Sequence, residues 1–152
     1  DTSVTGVQTC ALPICVLAGA RDLTADYIKG RRQFGRALAE FQAVAMQIAD
    51  VYIASRTVDL AAQNAVWRVA TGLPAADDLA VAAAWICDQG PTSVRTCHHL
   101  HGGMGVDTTY PLHHYFSWMN DIVRDLATLP GDVPIESPAA KNLELKIGRA
   151  HV

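Results

Sequence analysis

Three guanidinium groups fall within six residues in Arg31-Arg32-Gln33-Phe34-Gly35-Arg36, in a chain whose 12 Lys and Arg are outnumbered by 15 Asp and Glu. A guanidinium forks onto phosphate or carboxylate through paired N–H groups, so a local basic loop in an acidic chain points to an anionic ligand. Composition alone also allows a solvated loop whose charges complement neighbouring helix ends. A second cluster is Cys97-His98-His99-Leu100-His101-Gly102-Gly103-Met104-Gly105. Glycines at a helix end cap it and let a flat or phosphorylated ligand approach the main chain closely. The segment fails as a dinucleotide fingerprint, because it follows a helical pattern and Thr108 stands where the last glycine belongs. His98 and His101 share a helix face and could ligate a metal. Without a carboxylate-bearing partner helix, caps and polar lining are the simpler reading, and no metal is expected.

Other residues with chemical potential have plainer roles. His113 and His114 suit a surface or pocket edge, and Trp67, Trp85 and Trp118 lie on or beside apolar faces as core or interface residues. Cys87 and Cys97 have no activating neighbour and read as small buried hydrophobes. No nucleophile motif, phosphate loop or acid pair stands out, so no catalytic residue is assigned.

The elements that position these clusters are helices. Val16, Ala20, Leu23 and Tyr27 recur at helical spacing up to Gly30. From Phe41, the series Val44, Ile48, Val51, Ser55, Val58, Ala62, Ala65 and Val69 continues to Gly72 and Pro74, predicting one long helix over about Leu38 to Thr71. A third helix is expected within Ala75 to His101, kinked or broken at Gly90-Pro91, since proline cannot donate to the carbonyl four residues back. Pro111 suits a first helical position, and Leu112, Tyr115, Phe116, Met119, Ile122, Val123 and Leu126 form the stripe of a fourth. No stretch alternates convincingly with period two. The expected fold class is all-α, an up-down bundle of about four helices.

With 152 residues the chain is long enough for one domain with a real core, and half-apolar composition excludes a disordered chain. A net charge of −3 lacks the basic excess of a nucleic-acid binder. Its longest apolar runs, 11–20 and 79–87, fall short of the roughly 18 residues of a membrane span. Four cysteines at spacings that match no zinc or redox pattern suit a reducing, cytoplasmic setting.

Both ends carry a second signature. Val4 to Ile14 reads codon by codon as the translation of a widely used short-read sequencing adapter, and Ile147 to Val152 as its other strand. Residues 1–14 and 147–152 are therefore expected to be non-native and to pack poorly, leaving a domain over 15–129 and a loop or frayed tail over 130–146. The native part is then expected to be a fragment of a longer gene.

The two clusters together resemble the C-terminal helical domain of the acyl-CoA dehydrogenase family. That family writes Arg-x-x-Phe-Gly followed by a Gln, matched by Arg31 to Gly35 and Gln42, then Gln-x-x-Gly-Gly-x-Gly, matched by His99 to Gly105, then Tyr-Pro, matched by Tyr110-Pro111. The resemblance runs over Val16 to Thr128, and the stretch His101 to His113 is particularly similar to actinobacterial members, including some acting on steroid side-chain thioesters. It implies a flavin-dependent oxidoreductase that converts an acyl-CoA to the 2-enoyl-CoA, with FAD as cofactor and an electron-transfer flavoprotein or similar acceptor as partner. By the same resemblance Arg31 pairs with the FAD pyrophosphate, Phe34 packs beside the cofactor and Gln42 hydrogen-bonds it. His99, Leu100, His101, Gly102 and Gly103 hold its adenosine part. These contacts reach a neighbouring subunit's cofactor, implying a homo- or hetero-oligomer.

Two departures from the family pattern matter. His99 replaces the usual Gln, keeping one donor and one acceptor. The catalytic Glu of many members lies 23 residues past the second glycine of the pair, which from Gly103 is Leu126, and leucine cannot accept a proton. Other members place the base 26 residues before the motif arginine, which is residue 5 here, inside the adapter-like segment. The readings left open are an enzyme fragment whose base is missing or lies on another chain, a base-less supporting subunit of a heteromeric dehydrogenase, and a cofactor-free helical interaction module. The fragment alone is expected to be inactive.

Overall fold

A computed structural model describes residues 2–127; the segments 130–146 and 147–152 lie outside them. Helix α1 covers Thr2–Gly30, a short hairpin follows as β1 (Arg32–Gln33) and β2 (Arg36–Ala37), and a 3-10 turn over Leu38–Glu40 leads into α2, Gln42–Ala70. Helix α3 spans Ala76–His101, a 3-10 segment occupies Gly102–Val106, and α4 runs over Leu112–Ala127. The bundle is all-α apart from the two-residue ladder, in which Arg32 pairs with Ala37 and Gln33 with Arg36. Helices α1 and α3 each pack against the other three.

One core fills the bundle. Val16, Leu17 and Ala20 of α1 meet Val51 and Val58 of α2, Ile86, Val94 and Cys97 of α3, and Leu112, Met119 and Leu126 of α4. These are the apolar positions that helical periodicity selects. A smaller cluster of Ala62, Ala65 and Ala82 joins α2 to α3 with side chains short enough for close backbone approach. At that end Arg68 of α2 pairs with Asp78 of α3 at 2.8 Å and donates to the Pro74 carbonyl at 2.9 Å, so one guanidinium fastens the α2–α3 turn.

Two expectations need correction. The break expected at Gly90-Pro91 is absent, since helix α3 is one element with Pro91 inside it. The bond that proline forfeits is outweighed by burial of Ile86, Gly90, Ser93 and Val94 on either side. Gly90 matters sterically, since a Cβ there would lie 2.6 Å from Met119 Sδ of α4. The second correction concerns the chain start. α1 begins at Thr2, Pro13 is among the most fully buried side chains, and Ile14 packs against both apolar clusters. Pro13 and Ile14 are therefore integral to the bundle, because helix continuation carries any apolar residue at the right phase onto the core face.

Candidate functional site

The basic loop is a hairpin whose two central residues, Phe34 and Gly35, both have positive φ, 52° and 82°. That combination turns two strands tightly with the correct twist. Leu38 N–H donates to the Arg31 carbonyl at 2.8 Å, and Arg31 N–H to the Tyr27 carbonyl at 2.8 Å, fixing the Arg31 backbone on both sides. The three guanidinium groups have different fates. Arg32 donates to the Gly35 carbonyl at 3.0 Å, and Arg36 lies over the Phe41 ring at 4.0 Å. Arg31 forms no ion pair among the described residues and faces a groove.

The far wall of that groove is the end of α3. Gly102 takes φ 57°, ψ −130° to leave the helix, and its N–H donates to the His99 carbonyl. His99 is exposed, Gly102 and Gly103 present bare main chain, and Leu100 is buried to 8% exposure. The groove has a volume of about 600 Å³ and brings Arg31, His99, Leu100, His101, Gly102 and Gly103 together. Phe34 and Gln42 do not line it. Phe34 stands 91% exposed at the hairpin tip, its ring edge-on to Phe41 at 6.4 Å. Gln42, the first residue of α2, is exposed and about 100° around the helix from Ala43, which does line the groove.

Sequence reasoning missed Tyr27, Val44, Gln47 and Met104, which also line the groove, as do Gln33 and Leu38. Their signal is helical phase. Tyr27 lies one turn before Arg31, and Gln47 one turn after Ala43. Gln47 also carries a buried side-chain oxygen with no hydrogen-bond partner. An orphaned buried acceptor is costly, and a ligand donor would relieve it.

His101 is 3% exposed, and both its ring nitrogens are committed. Nδ1–H donates to the Cys97 carbonyl at 2.8 Å, and Nε2 accepts from the Tyr110 hydroxyl at 3.2 Å. A carbonyl can only accept, which fixes the tautomer. Burial holds the His101 pKa below the ordinary histidine value, with the neighbouring His98 adding to the effect and the Cys97 carbonyl opposing it. Both imidazole nitrogens are thus engaged within the bundle, while His101 still lines the groove. Cys97 is buried and its thiol pKa is raised by desolvation. Leu126 belongs to the core, whereas Asp125 lines a second groove of about 510 Å³ with Leu12, Cys15, Tyr115, Trp118 and Asp121.

An uncommitted guanidinium, bare glycine backbone and a buried acceptor fit a ligand that carries phosphate together with hydroxyl or amine donors. FAD has that donor set. Residues 4–120 match the family described as acyl-CoA dehydrogenase, C-terminal domain. The match opens upstream of Cys15. The chain is 54% identical over 109 residues to the acyl-CoA dehydrogenase FadE28 of Mycobacterium tuberculosis, covering 72% of this chain and 32% of that protein. It is similar to the ChsE4-ChsE5 complex of the same organism (31% identity, TM-score 0.79, 99% of this chain and 38% of that one). It is also similar to the FAD complex of PigA (27% identity, TM-score 0.68, 77% and 33%). The chain spans about a third of the length of the relatives it matches. With both motifs in order and the matched domain covering most of its length, the chain belongs to the acyl-CoA dehydrogenase family.

Proposed function

We propose that this chain is the C-terminal helical part of a flavin-dependent enzyme that dehydrogenates an acyl-CoA thioester to the 2-enoyl-CoA. The carrying observation is that Arg31, the one guanidinium of the loop left uncommitted, faces the His99–Gly103 backbone across a single groove. When bound, FAD supplies the hydride-accepting chemistry. The residues of this chain bind and orient it. Arg31 offers a fork to the pyrophosphate, Gly102 and Gly103 admit the ligand to the main chain, and His99 and Gln47 offer polar partners to its hydroxyl and amine groups. Phe34 and Gln42, which stand clear of the groove, are assigned to cofactor contacts made across a subunit boundary.

The partners proposed are an acyl-CoA, an electron-transfer flavoprotein or similar acceptor, and further subunits. The similarity to the ChsE4-ChsE5 complex supports a heteromer, and similarity to the Tcur3481-Tcur3483 steroid ACAD variant (34% identity, TM-score 0.77) supports a setting in lipid or steroid breakdown. A cytoplasmic location is part of the same proposal; no helix among the described residues is long and apolar enough to cross a membrane. A second reading, a base-less subunit supporting a catalytic partner, is favoured by one observation: the slot where many relatives keep Glu holds Leu126, turned into the core. Co-expression of the full-length gene with its genomic neighbour tests both. A yellow protein bleached by acyl-CoA supports the enzyme. Bleaching that survives removal of every acidic candidate from this subunit and vanishes with the partner's supports the base-less reading.

A further inference from the structure

His101 sits behind the groove wall, joined to three elements at once. Its ring stacks on Tyr27 of α1 at 4.3 Å between centroids with 22° between planes, and lies 5.3 Å from the Tyr110 ring. Nδ1–H is tied to its own helix through Cys97, Nε2 to Tyr110, and the His101 carbonyl accepts from the Tyr27 hydroxyl at 3.4 Å. Tyr110 is itself placed by its N–H donating to the Asp107 carbonyl at 3.1 Å, in the turn leading to α4. The residues that follow each end of this clasp form the groove. Arg31 is the first residue past the end of α1, tied by its N–H to the Tyr27 carbonyl at 2.8 Å, and Gly102-Gly103 follow His101 directly. The spacing between guanidinium and glycine backbone is thus set where the Tyr27 and His101 rings meet.

We propose that His101 is a positioning residue: its imidazole, clamped between Tyr27 and Tyr110, holds the Gly102-Gly103 main chain at a fixed distance from Arg31 and so preorganises the groove for its phosphate-bearing ligand. An aliphatic residue in its place would fill the volume without fixing the exit angle of α3. The phosphate-bearing ligand is the FAD proposed above, and the flavin readout rests on that reading.

The test uses the full-length protein with its partner subunit. Tyr110→Phe removes one hydrogen bond and keeps the ring; His101→Phe removes both ring bonds and keeps the stack; His101→Gln restores one donor and one acceptor. Loss of one neutral hydrogen bond corresponds to about three- to tenfold in affinity. The flavin dissociation constant is expected to rise by that factor in Tyr110→Phe, further in His101→Phe, and to recover in part in His101→Gln. Amide exchange at 102–106 in the flavin-free protein is expected to quicken in the same order. Unchanged flavin affinity and unchanged exchange in Tyr110→Phe and His101→Gln would overturn the proposal even if His101→Phe failed to fold. A wild-type protein that binds no flavin would instead sink the cofactor reading, and the exchange order would still decide the clasp.

Discussion

Phe34 holds a positive φ that a bulky side chain adopts only at a cost of about 1–3 kcal/mol, and it spends that strain on a ring left 91% exposed. Glycine at that place takes the same backbone freely. Phe34→Gly is therefore expected to leave unfolding stability unchanged or raised by up to about 1 kcal/mol while lowering flavin retention in the assembled protein. Reduced stability with full retention would show that the ring serves the fold. His101 gives a second residue-level expectation. Its folded pKa lies below the unfolded value, so the unfolded state binds the extra proton first. Its contribution is fully present above the unfolded pKa of about 6.5 and is lost as pH falls through that value towards the folded one. Urea unfolding at stepped pH should show wild type losing more stability than His101→Gln over that window. Arg31 was legible in the sequence because a motif names it. Gln47 and Tyr27 were not, since only the crossing of α1, α2 and α3 brings them to the groove.

Helix boundaries followed from periodicity wherever one face is buried, and α2 and α4 lie within a few residues of their expected limits. Pro91 misled because a local rule was applied where packing decides: Gly90 opens a slot for Met119, and the surrounding core holds the helix through the missing bond. The hairpin was not legible either. Its tight turn uses Phe-Gly in place of the Asn-Gly or Asp-Gly that signals such turns. Gly90→Ala is expected to cost about 1–3 kcal/mol by overpacking against Met119. Combined with Met119→Ala it should cost less than the sum of the two, because the new methyl enters space the thioether vacates. Additive values in denaturant unfolding would mean that the two residues do not share that space.

Across the whole bundle, among the described residues, there is one groove suited to a phosphate-bearing ligand and none of the assigned chemistry, in keeping with a chain that spans about a third of the length of its relatives. Its charge and cysteine content, read from sequence, set broad exclusions and left the ligand to the motifs. The adapter-like ends lead to a further expectation. If residues 1–14 and 147–152 are non-native, the genomic gene differs from this chain at those positions, which amplification across the junctions at Cys15 and Lys146 would check. Native residues in the place of Pro13 and Ile14 should still be apolar, since both pack into the bundle.

The groove between Arg31 and the α3 end is proposed to bind a flavin dinucleotide through its phosphates. Flavin titration of the full-length, deflavinated complex carrying Arg31→Ala measures this most directly, with Arg31→Lys beside it. Loss of a charge-assisted hydrogen bond predicts affinity weakened by about 1.5–3 kcal/mol in Arg31→Ala. Only partial recovery is expected in Arg31→Lys, whose point charge lacks the fork. Flavin affinity unchanged in Arg31→Ala would contradict the assignment.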